Sequence, residues 1–102
     1  MPDLVCRWDA KDFAAFDVPT GENRMVRVTG TGTCPQGGFD VGLDHGPIPI
    51  VPEPWRLHLR LVENPPPAGT DALTEVAIDQ LFEISDEVTE VAVLGVGVIP
   101  IQ

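Results

Sequence analysis

Between positions 55 and 62 apolar and basic residues alternate strictly. Trp55, Leu57, Leu59 and Leu61 fall on one parity, and Arg56, His58 and Arg60 on the other. A period of two is that of a β-strand with one buried face, because successive side chains point to opposite faces of a sheet. RMVRVTGTGTC (24–34) carries the same signature, with Val26, Val28 and Cys34 on one face and Arg27, Thr29, Thr31 and Thr33 on the other. Its Val and Thr content suits a pleated, half-buried surface. CPQGG (34–38) reads as a turn, and GFDVGL (38–43) as the strand that returns beside 24–34 in a hairpin. DLVCRW (3–8) offers a further strand, with Leu4, Cys6 and Trp8 on one side. The segment KDFAAFDVPTGEN (11–23) is too short and too punctuated for a long helix, and is expected to hold at most one turn or two around Phe13 and Phe16.

Two proline-dense segments interrupt this pattern. HGPIPIVPEP (45–54) contains Pro47, Pro49, Pro52 and Pro54, which favour extended or polyproline-II backbone and remove ladder donors. NPPPAGT (64–70) is a second rigid connector. Both are expected as loops or edges, where proline discourages edge-to-edge pairing. Pro49-Ile50-Val51-Pro52 fits the P-x-x-P pattern, but no arginine flanks it before Arg56, so it is a weak recognition signal.

The tetrapeptide TEVA occurs at 74–77 and again at 89–92. Read as a helix over 71–84, the first copy puts Leu73, Val76, Ala77, Leu81 and Ile84 in a stripe. That reading strands Ile78 and Phe82 outside the stripe and stacks Glu75, Asp79 and Glu83 as like charges one turn apart. Read as a strand, Val76, Ile78, Phe82 and Ile84 share a face, interrupted by Gln80, while the three acids face outward. The strand is the better fit. VTEVAVLGVGVI (88–99) is valine-rich and apolar on both faces, as a central strand is. A turn at Ser85–Glu87 would pair Ile84 with Val88, Ile78 with Leu94 and Val76 with Val96, so both copies are expected in one hairpin. Four matching residues do not make a repeat.

These elements give an all-β fold: a small immunoglobulin-like antiparallel sandwich of six to seven strands in one domain, 1–102. The alternative is an α+β fold with one helix near 71–84. A chain of 102 residues that is 43% hydrophobic can build a core, and Trp8, Trp55, Phe39 and Phe82 are the expected large core residues. Gly30, Gly32, Gly95 and Gly97 are expected at bulges or points of close packing between sheets.

Charge narrows the partners. The formal net charge is −10, and all six basic residues lie in the first sixty positions. Nucleic acid and anionic membranes are disfavoured, because phosphate contacts need clustered Lys and Arg. No stretch approaches the ~18 apolar residues of a membrane span. The N-terminus MPDLVCRWDAKD lacks a signal-peptide core, so a cytoplasmic location is expected. Cys6 and Cys34 are then expected as buried thiols, with a disulfide as the minority reading.

Candidate chemistry is sparse. Asp44 and His45, with Asp40 nearby and Glu53 beyond, offer carboxylate and imidazole donors for a metal. The plainer reading is a polar turn, with Asp44 capping backbone amides and Gly46 supplying a special backbone angle. Ser85 is the single serine and lacks a G-x-S-x-G context, neither cysteine carries a nucleophile signature, and TGTGTCPQGG lacks the lysine and helix start of a phosphate loop. No cofactor is expected. The residues therefore point to a non-enzymatic protein-interaction or self-associating module, with a homodimer or another protein as partner. Its expected contact residues are the outer row Arg56, His58 and Arg60 and the apolar Val91, Val93 and Ile99. The outer acids Glu75, Asp79 and Glu83 would either pair with that basic row or form a complementary stripe. The alternative is a small-ligand or metal-binding domain, or an accessory subunit of an enzyme, using the 40–53 region.

Overall fold

The computed structural model describes residues 4–68 and 71–102. Seven strands form two sheets: β1 (Arg7–Pro19), β2 (Arg24–Cys34), β3 (Asp40–His45), β4 (Arg56–Asn64), β5 (Thr74–Ile84), β6 (Glu90–Leu94) and β7 (Gly97–Pro100). One sheet has the order β1-β2-β5 and the other β3-β4-β6-β7. The described residues are all-β, as the alternation predicts, and the helix considered over 71–84 is instead strand β5.

Parity decides which side chains go inside. In β4, Leu59 and Leu61 are buried and Leu57 is half-buried, while Arg60 is exposed. In β5, Ile78 and Ile84 are buried with Val76, Gln80 and Phe82 half-buried beside them, and Glu75, Asp79 and Glu83 are exposed. The core between the sheets is aliphatic: Val26, Val28, Leu59, Val91 and Val93 are its largest fully buried side chains besides Cys34. The expected large aromatics sit at its margin. Trp8, Phe39 and Phe82 are half-buried and Trp55 is exposed, whereas Phe13, expected in a helical turn, is buried.

That residue belongs to β1, a strand of 13 residues where at most a helical turn or two is expected. Its register against β2 slips: Trp8 faces Gly32 and Phe13 faces Gly30, so residues 9–12 form a bulge opposite Thr31. The two glycines are the reason the aromatics fit. A Cβ on Gly30 would collide with the Phe13 ring, and one on Gly32 with the Trp8 ring. At Gly30 and Gly32 the close packing is between strands of one sheet, opposite the β1 bulge, whereas a Cβ on Gly97 would meet Ala10 of the opposite sheet at 3.2 Å.

Two expected pairings and one expected strand are replaced by others. Since β2 has β1 on one side and β5 on the other, no edge is left for 38–43. The chain leaves β2 through a turn with Gly38 at φ 90° and forms β3 in the opposite sheet, antiparallel to β4. The expected β5–β6 hairpin is also absent: β5 pairs along its length with β2, and β6 runs parallel to β4. Arg24 holds this crossover by donating to the carbonyls of Ser85 (3.0 Å) and Val88 (2.7 Å). Finally, the expected single strand over 88–99 folds back on itself as the β6–β7 hairpin, at Gly95 (φ 84°) and Gly97 (φ 147°). Positive φ is a conformation that glycine adopts without a steric penalty.

The seams between the sheets are closed differently. On one side Gln102 N–H donates to Ala15 O (2.9 Å) and Asp17 N–H to Gln102 O (3.1 Å). On the other, the Gln80 carboxamide accepts from Leu43 N–H (2.6 Å) and donates to Leu43 O (3.1 Å). At one end, Glu63 accepts from the amides of Val5 and Cys6 (both 2.8 Å) and from Trp8 Nε1 (2.9 Å). There Cys6 and Cys34 form a disulfide, replacing the expected free thiols. They extend the β1–β2 register by one position beyond Arg7 and Thr33, so strand pairing itself brings the two sulfurs together.

Candidate functional site

The loop between β3 and β4 carries Glu53 and joins the strands that hold Asp44 and His45 on one side and Arg56, His58 and Arg60 on the other. At its first root the ladder continues one step, with Gly46 N–H donating to His58 O at 2.9 Å. Gly46 has no special backbone angle. It is needed because a side chain there would press on the Leu59 backbone at 3.1 Å. At the second root Arg56 N–H donates to Glu53 O (3.1 Å), and Trp55 O accepts from Thr89 N–H (2.8 Å). The Glu53 carboxylate accepts from Arg56 Nη1 at 3.1 Å, and Arg56 Nε donates to Glu90 at 2.8 Å. His58 Nε2 lies 3.0 Å from Glu53 Oε1, near enough for an ion pair when protonated, yet off the angle of a hydrogen bond.

Residues 47–52 project between these pinned roots. Ile48 is 89% exposed, Ile50 102% and Val51 73%, with Trp55 at the root 43% exposed. The prolines make this arrangement: they cannot donate to a ladder, so the aliphatic residues among them have no sheet face to be buried under. Three aliphatic side chains within four residues thus stand in water on a proline-stiffened loop.

The other predicted site residues are placed as follows. Asp44 Oδ1 accepts from His45 N–H (2.8 Å), as the capping reading predicts, and Oδ2 meets Arg60 at 3.4 Å. The backbone amide of His45, and secondarily Arg60, hold the Asp44 carboxyl below the usual carboxylate value. The His45 ring packs edge-on against Phe82 at 5.7 Å. Among the described residues no three His, Cys, Asp or Glu side chains converge as metal ligands. An open groove of about 300 Å³ runs along β3 and includes Asp40, Asp44, Asn64 and Gln80.

Arg56, His58 and Arg60 lie on the outer face of β4, as expected, but β5 and its acids belong to the other sheet. The arginines of the basic row are paired locally, Arg60 with Asp44 and Arg56 with Glu53 and Glu90, and in the acidic row Asp79 pairs with Arg27. The hydrogen bond from Arg27 holds Asp79 below the usual carboxylate value. Val91, Val93 and Ile99 are 0%, 2% and 3% exposed. They fill this molecule's own core and are not accessible for contact in the folded domain. In the same run it is instead Leu94 and Val98 that are exposed, on the opposite parity. The exposed loop aliphatics were legible in principle, as apolar residues in a stretch barred from the sheet. No protein family, curated protein or solved structure matches this chain.

Proposed function

We propose that this chain is a non-enzymatic protein-interaction module that makes contact through the 46–55 loop. One observation carries the reading: Ile48, Ile50 and Val51 stand in water on a loop stiffened by four prolines and pinned at both roots. A preorganised apolar loop loses little conformational entropy on binding. The immunoglobulin-like comparison enters only as architecture, two packed sheets that leave connecting loops free for contacts. The test compares the wild type with Ile48→Ser/Ile50→Ser by sedimentation, in purified form and in extract of the native cells. The reading expects equal melting temperatures and a larger assembly, homodimeric or with another protein, for the wild type alone. Identical sedimentation of the two proteins in every condition would sink it.

A second reading is favoured by the groove along β3, which places Asp40 and Asp44 in one concavity. In it, the 40–53 region binds a metal or small ligand, alone or as an accessory subunit, with Asp44 and His45 as donors. A melting-temperature screen against divalent cations and chelators tests it, because a ligand bound only by the folded state raises the transition. Location is bound to the redox question. The expected cytoplasmic setting sits against the Cys6–Cys34 bond, since disulfides persist mainly in oxidising compartments. Thiol trapping in the native cells decides between them.

A further inference from the structure

The loop's surroundings specify its partner further, given that the loop is a contact surface at all. The Trp55 carbonyl accepts from Thr89 N–H, so the exposed acids Asp86 and Glu87 lie three and two residues along the chain from the contact at the loop root. Charges at this end do not balance. Arg24, whose guanidinium caps the 85–88 turn, pairs with Asp17, Arg60 pairs with Asp44, and Arg56 serves both Glu53 and Glu90. With Asp86 and Glu87 these groups are six carboxylates against three guanidiniums, a surplus of three negative charges among them, within a chain of net −10.

A two-fold contact between loops of two copies would bring this surplus against its own image, because an isologous interface applies the same patch twice. Like charges so juxtaposed oppose docking. We infer that the loop's occupant is not a second copy but a different protein, presenting an apolar cleft bordered by Lys or Arg. Ile48, Ile50 and Val51 fill the cleft, and Asp86 and Glu87 meet its basic rim. The prolines assist, since each removes a backbone N–H that burial would otherwise leave unsatisfied.

The probe is a synthetic amphipathic peptide of leucine and lysine, followed by fluorescence anisotropy, with a leucine–glutamate peptide of the same pattern as control. The wild type is expected to bind the lysine peptide and not the glutamate one, and to weaken about tenfold between low and high salt, as screened charge pairs do. Ile48→Ser/Ile50→Ser/Val51→Ser should weaken binding at least about tenfold, roughly the loss of one buried aliphatic side chain or more. Asp86→Asn/Glu87→Gln should weaken it several-fold and flatten the salt dependence. All these residues are exposed, so melting temperatures should not change. Absence of binding, or equal binding by the triple-serine variant, overturns the inference. Loop-dependent binding that ignores Asp86→Asn/Glu87→Gln, or salt-insensitive dimerisation through the loop, overturns the basic partner while leaving the loop a contact surface. Loss of every loop-dependent association defeats both.

Discussion

Gln80 interrupts the inward row of β5, yet its carboxamide satisfies both backbone groups of Leu43 on the facing strand edge. It occupies the position a peptide group of an added strand would take. Gln80→Ala should therefore cost about 1–3 kcal/mol by leaving a half-buried N–H and C=O without partners, measured by urea unfolding. Gln80→Leu should fare no better, because the loss lies in hydrogen bonding and not in volume. On β4 the contrast is between neighbours: Leu59→Ala should cost about 2–5 kcal/mol by opening a cavity, while His58→Ala removes one half-exposed ion contact and should cost under about 1 kcal/mol. Equal costs would contradict the alternation of β4. The Arg27–Asp79 pair gives a pH signature. Its folded carboxyl pKa is depressed, so the stabilisation is present above the ordinary aspartate pKa and is lost as pH falls through the lower folded value. Both side chains are exposed, so the effect on unfolding is small. The direct measurement is an NMR titration, in which Arg27→Gln should return Asp79 to the ordinary carboxylate value.

Elements were legible where one face is apolar and the other polar. β2, β4 and β5 follow directly from parity, because shifting any of them by one residue would bury its charges. β1 was not legible, since FAAF satisfies either period and the deciding facts are the ring-over-glycine contacts with β2. Gly30→Ala tests this: the added methyl meets the Phe13 ring, and the expected loss is about 1–3 kcal/mol. Phe13→Leu in the same chain should recover part of it. Absence of any loss would mean the ring is not held against β2. The C-terminal run was misread as one strand because valine on both faces carries no parity signal. Its break at Gly95 and Gly97 is a backbone property, visible only through positive φ.

At the scale of the molecule, closure is made by few groups: the C-terminal residues on β1, Gln80 at the opposite seam, and Glu63 with the disulfide at one end. The disulfide closes a loop of 28 residues, and Cys6→Ser/Cys34→Ser should lower stability by about 2–4 kcal/mol, mainly by freeing the unfolded chain. Thermal unfolding with and without reductant checks it. Should the double serine variant melt like the wild type, the Glu63 hydrogen bonds alone hold the N-terminal segment. Contact surface is also decided at this scale. Val91, Val93 and Ile99 lie inside, while Ile48, Ile50 and Val51, equally apolar, lie outside.

By itself the sequence determined the all-β class, three strand faces, the two proline-dense breaks and the outward orientation of Arg60 and of the Glu75, Asp79 and Glu83 row. Each of these is local: it depends on parity, proline chemistry or charge within about ten residues. The tertiary structure decided which strands are neighbours, the parallel β4–β6 pair, the Cys6–Cys34 bond and which apolar residues reach water. Those depend on which edges are already taken, and a strand carries the same pattern whichever neighbour occupies its edge.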